Sequence, residues 1–272
     1  MCSPWGAALV FCGDAGPGGR LMRMEAGVVT GKRAVPPLWY PVVALALSFV
    51  LSIIFLDISL SLLHGNPASA LSSLTPFELG MNEVGLWVVF VGSAALAAKV
   101  YFGERFLQAV RWHLKPAVDL PVGVAAGVLA QLVVVPLLYL PVTMEDPAVG
   151  RQLSAPAQTI VGIGAGSGIY VVAAILVIGA PVAEEIFFRG LTYRTILGHF
   201  TEARPWLRSV LAVGGSSLLF AIAHFEPLQF AGLFVVGCIL AILVKVTGRL
   251  GTSIVAHASF NLVAVIALAH LR

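Results

Sequence analysis

Charged residues are scarce in this chain: only 11% are Asp, Glu, Lys or Arg, against 59% hydrophobic, where a soluble domain carries about 25% charged. That shortage excludes a fold whose core is shielded by a water-facing surface, and with a mean hydropathy of +0.97 the bilayer becomes the solvent. Cysteine is nearly absent. Cys2, Cys12 and Cys238 are an odd number at unrelated spacings, which gives no disulfide framework and no CxxC metal site; Cys238, in an apolar run, reads as a small hydrophobe. HExxH is missing, and so is any internal repeat of the kind many transporters are built on. The net charge of +3 comes without a basic face, so no nucleic-acid partner is expected. A secretory signal would place basic residues before its apolar core; here the weak apolar stretch at 7–12 precedes the arginines. Residues 1–37 read as a disordered cytoplasmic tail, with Met22 or Met24 as alternative starts.

What is abundant is long apolar runs. A span needs roughly 20 mostly apolar residues, and seven segments qualify: Leu38–Leu63, Asn82–Phe102, Leu120–Leu140, Thr159–Phe188, Leu207–His224, Leu228–Val246 and Gly251–Leu271. The expected fold is all-α, a polytopic bundle of about seven spans with no sheet. With the N-terminus cytoplasmic, fourteen of the 16 Lys and Arg residues fall on the inside and only Arg151 and Arg272 outside, as the positive-inside rule requires. Gly164, Gly166, Ser167 and Gly168 place small residues on the fourth span, where helices can approach closely.

An ionisable group at the bilayer centre costs roughly 2.5–3.5 kcal/mol on insertion scales, so the polar residues inside spans carry the functional information. In Glu184-Glu185-Ile186-Phe187-Phe188-Arg189, Glu185 and Arg189 are four apart and share a helix face. Glu184 is turned about 100° away and is left free for chemistry. Taken alone, Glu185–Arg189 reads equally well as an interfacial ion pair. His224 ends an apolar span with Phe220 one turn before it, and a lone histidine there is more often packed than functional. His257 and Asn261 lie four apart on the seventh span, where polar helix–helix glue is an equal reading. Together, two carboxylates, two imidazoles and one carboxamide from three spans form a set suited to peptide hydrolysis. A carboxylate takes a proton from water, a histidine orients that water or binds a metal, and N–H groups stabilise an oxyanion.

The ordered trio of EExxxR at Glu184, Glu185 and Arg189, FxxxH at Phe220 and His224, and HxxxN at His257 and Asn261 resembles the CAAX protease and bacteriocin-processing (CPBP) family of intramembrane proteases. The resemblance covers residues 154–268, which it marks as a catalytic transmembrane domain of the type II CAAX prenyl endopeptidase kind; residues 38–150 add helices without a motif. It implies a multi-pass protein of the cell membrane that cleaves a peptide or lipidated protein substrate. Glu184 and His224 would activate water, and His257 and Asn261 would form the oxyanion hole. Glu185, Arg189 and Phe220 would support the site. Whether the family needs a metal is open: Zn2+ held by Glu184, His224 and His257 is the alternative to unassisted water. The rival from another class is a non-catalytic membrane protein, a transporter or an immunity-type binding protein, using the same polar cluster.

Overall fold

The computed structural model describes residues 34–64, 74–164 and 166–270; nearly all of the expected N-terminal tail, residues 1–33, lies outside them. The described chain is all helix, without a strand. The helices are α1 (Trp39–His64), α2 (Pro76–Phe102), the short α3 (Phe106–Ala109), α4 (Pro116–Glu145), α5 (Pro147–Ile163), α6 (Gly168–His199), α7 (Pro205–Ala223), α8 (Phe230–Thr247) and α9 (Gly251–His270). All but α3 and α5 are long and apolar enough to cross a membrane, seven among the described residues. Large apolar side chains stand exposed along them, Leu62, Ile53, Leu137, Ile178 and Val246 among them. That surface is intolerable in water and appropriate to lipid.

Six of the seven spans lie where hydropathy put them. The fourth does not. The expected Thr159–Phe188 segment contains the end of one helix and the start of another. Helix α5 closes at Gly164, Gly166 adopts a left-handed φ of 59°, and α6 begins at Gly168. The small residues include the break, because glycine leaves the helical region at little cost, and Gly168 also packs closely, an added Cβ standing 2.9 Å from Pro76 Cγ of α2. Helix α5 is amphipathic: Arg151, Gln152, Gln158 and Thr159 are exposed, while Leu153, Ile160 and Val161 turn toward the protein.

Close helix contact is also made elsewhere. Gly123 and Gly127 form a GxxxG pair on α4. A Cβ on Gly127 would stand 2.1 Å from the Ala256 carbonyl oxygen, and one on Gly123 would stand 2.9 Å from that of Thr252. Helix α4 is thus pressed backbone to backbone against α9, beside His257. One end of this pair is pinned by Asp119, which accepts the backbone N–H of Lys115 at 2.6 Å, the Arg249 guanidinium at 2.6 and 3.0 Å, and the Thr252 hydroxyl. The hydrogen bond to Asp119 raises the pKa of Arg249 further. Gly85 does for α1 and α2 what Gly127 does for α4 and α9, its Cα lying against Ser52. Helix α2 starts on a capping box in which Thr75 and Glu78 satisfy each other's backbone N–H groups, at 2.6 and 3.3 Å.

Overpacking of this kind costs about 1–3 kcal/mol, so Gly127→Ala should lower the thermal unfolding midpoint in detergent. Gly92→Ala, whose added Cβ meets nothing within 4 Å, should leave it unmoved.

Candidate active site

Helix α6 carries the centre of the site, and it is not a regular α-helix. π-helical turns occupy Ile175–Gly179 and Ile186–Tyr193, flanking the two adjacent carboxylates. Such turns commonly mark functional positions. Across the first, backbone N–H groups bond five residues back, as Ala180 does to Ile175. Pro181 follows and has no N–H to offer, so the Leu176 carbonyl loses the partner that this register would supply. The Asn261 carboxamide fills the gap, donating from Nδ2 to Leu176 O at 2.7 Å.

Glu185 and Arg189 are both fully buried, and each is held by partners beyond the other. Arg189 donates to Glu185 Oε1 at 2.6 Å and to the Gly237 carbonyl on α8 at 3.0 Å, with its guanidinium 4.7 Å from the Phe220 ring centroid. Glu185 also accepts the Ser253 hydroxyl on Oε2 and His257 Nδ1 on Oε1 at 3.1 Å. One ion pair therefore ties α6 to α8 and α9. It also fixes the imidazole: with Nδ1–H directed at a carboxylate, His257 presents Nε2 to the site.

What Nε2 faces is Glu184. Its Oε2 lies 3.9 Å from His257 Nε2, is itself buried, and has no hydrogen-bond partner. The separation exceeds a direct hydrogen bond and matches the span of one bridging water. Glu83 on α2 lies close enough to feel the charge of Glu184. Trp87 lies against Gly179 of α6, where an added Cβ would stand 2.1 Å from the indole.

His224 caps α7. Its Nδ1–H donates to the Phe220 carbonyl at 2.8 Å, which leaves its Nε2 available. Phe220 is the shared wall: its ring centroid is 4.6 Å from that of His224, 5.7 Å from that of His257 and 5.2 Å from that of Phe188.

Residues 166–263 match a family model described as Rce1-like, type II CAAX prenyl endopeptidase Rce1-like. This segment is similar to the CAAX prenyl endopeptidase family. No curated protein and no solved structure matches the chain. The matched segment begins at the glycine turn before α6 and ends two residues after Asn261, so it contains all seven motif residues.

For a metal, the relevant test is the donor set. Among the described residues no three of His, Cys, Asp and Glu are gathered to hold an ion. Glu184, His224 and His257, the three expected from the sequence, are not gathered as a ligand group, although the Nδ1 bonds of both histidines leave Nε2 free, as in metal-binding imidazoles.

Sequence reasoning passed over several members of the site. Ser253 precedes His257 by the same spacing of four that links His257 to Asn261, so the stripe was readable. Glu83 lies within the second span, where an ionisable residue is a functional signal in its own right; the first three spans are not bare. The Gly237 and Leu176 carbonyls leave no sequence signal.

Removing one partner of a buried pair costs about 3–5 kcal/mol, so Arg189→Ala should collapse detergent stability. Arg189→Lys, which keeps the charge but not the fork that reaches both Glu185 and Gly237, should recover only part of it.

Proposed function

We propose that this CAAX-family chain is an intramembrane endopeptidase that hydrolyses a peptide bond near the C-terminus of a prenylated or otherwise membrane-held substrate, with residues 154–268 as the catalytic unit and residues 38–150 as its support. The observation that carries the reading is the approach of Glu184 Oε2, buried and unpartnered, to His257 Nε2, in a segment matching the prenyl endopeptidase family. The basic residues, fourteen against two, favour a cytoplasmic N-terminus.

In this reading a water molecule lies between Glu184 and the two imidazole Nε2 atoms. Glu184 takes a proton from it as its oxygen bonds to the scissile carbonyl carbon. Asn261 has one amide N–H beyond the one given to Leu176 and offers it to the oxyanion. As the tetrahedral intermediate collapses, the C–N bond breaks and the proton held by Glu184 passes to the leaving nitrogen. Glu185 and Arg189 hold His257 in the required tautomer, and the phenylalanine wall keeps lipid and bulk water from the reacting atoms.

General base catalysis contributes roughly 10²–10⁴-fold. Glu184→Gln should lose that factor in release of the C-terminal tripeptide from a farnesylated C-a-a-X peptide, read by mass spectrometry, with unchanged detergent stability. Full activity in that variant would refute the mechanism. A parallel assay with a chelator reports whether a metal takes part.

A further inference from the structure

The residue after His224 is strained. Phe225 has a φ of 51°, a left-handed conformation that bulky residues rarely adopt. Such strain persists only where surrounding contacts over-determine the backbone. The turn at 224–229 has those contacts, and they come from outside the catalytic segment. Tyr139 on α4 donates its hydroxyl to the Leu228 carbonyl at 3.0 Å and accepts the Gly232 N–H at 2.9 Å. Its ring lies flat enough on Gly232 that an added Cβ would be 3.0 Å from Cε2. Gln229 donates to the Leu153 carbonyl on α5 at 2.7 Å. Phe225 meets Phe49 on α1 edge to face, centroids 4.9 Å apart. Three helices carrying no motif thus grip the six residues that begin with His224, and one hydroxyl bridges the last residues of that turn to the first turn of α8.

We infer that Tyr139 is a positioning residue for His224: its hydroxyl closes the strained turn between α7 and α8 and so holds the imidazole where the reaction needs it. The inference rests on the proposed role of His224 but makes a claim that stands apart from it. Tyr139 lies among the helices where no motif was found, and it acts on the backbone beyond the histidine, not on the substrate. Tyr139→Phe is the clean variant, because it removes the two hydrogen bonds and keeps the ring on Gly232. Thr143→Ala is its control: that hydroxyl sits one turn along on the same helix and bonds only the carbonyls of Tyr139 and Leu140.

Two readouts decide it, both on the full chain in detergent. The first is steady-state cleavage of the farnesylated C-a-a-X peptide. Misplacing a catalytic group should lower kcat about tenfold in Tyr139→Phe while KM stays within about twofold. The second needs no activity: the rate at which diethylpyrocarbonate modifies His224, followed by peptide mass spectrometry with His270 as internal reference. It should rise in Tyr139→Phe and stay at the wild-type value in Thr143→Ala. If Tyr139→Phe matches Thr143→Ala in both readouts, the inference is overturned. If His224 labelling rises in Tyr139→Phe while Glu184→Gln still cleaves, the clamp stands and the protease mechanism falls. If Glu184→Gln is dead and Tyr139→Phe is indistinguishable from wild type, the mechanism stands and the clamp falls.

Discussion

Glu185 and Arg189 could not remain charged inside a membrane protein without each other, and neither could be satisfied by the other alone. A carboxylate has room for several donors and a guanidinium for several acceptors. Further positions are filled by Ser253 and His257 from α9 and by the Gly237 carbonyl from α8, while Arg189 Nε keeps no hydrogen-bond partner. The need to complete these hydrogen bonds in a medium without water draws three spans to one point. The same requirement orients His257, because the nitrogen bonded to Glu185 determines which nitrogen is left for Glu184. The structural pair thereby sets the geometry of its chemical neighbour. The adjacent carboxylates divide the work: Glu185 is saturated with partners, and Glu184 Oε2 has none.

Around this point the rest of the bundle acts by shape. The GxxxG pair on α4 lets α9 approach at backbone distance, and the Asp119 cluster fixes where along α9 that contact occurs. The aromatic stack of Phe90, Phe187, Phe188 and Phe220 fills the space between α2, α6 and α7, with neighbouring centroids 4.4–5.2 Å apart. The N-terminal half therefore has a share in the site that its lack of motifs conceals. It brings Glu83 within range of the Glu184 charge, sets Trp87 against Gly179 and grips the turn beyond His224.

How much of this was legible in the sequence differs from residue to residue for physical reasons. The helical class follows from hydropathy, because length and apolarity are what a bilayer demands of a span. The Glu185–Arg189 pair follows from a spacing of four on one helix. The boundary of α6 did not, because the apolar end of amphipathic α5 and the glycines after it carry the same hydropathy as a membrane span. The partner of Asn261 was out of reach for a different reason: it is a backbone carbonyl in a π turn, freed by the proline that follows the turn, and a carbonyl has no letter in a sequence.

The account depends on Glu184 and His257 facing each other in one pocket. Solid-state NMR in lipid bilayers can measure this directly, by carbon–nitrogen dipolar dephasing between the Glu184 carboxyl carbon and His257 Nε2, assigned by its loss in Glu184→Ala. The approach of 3.9 Å between Oε2 and Nε2 predicts strong dephasing at that pair. Its absence in the folded protein would place the two side chains against separate neighbours and contradict the shared site.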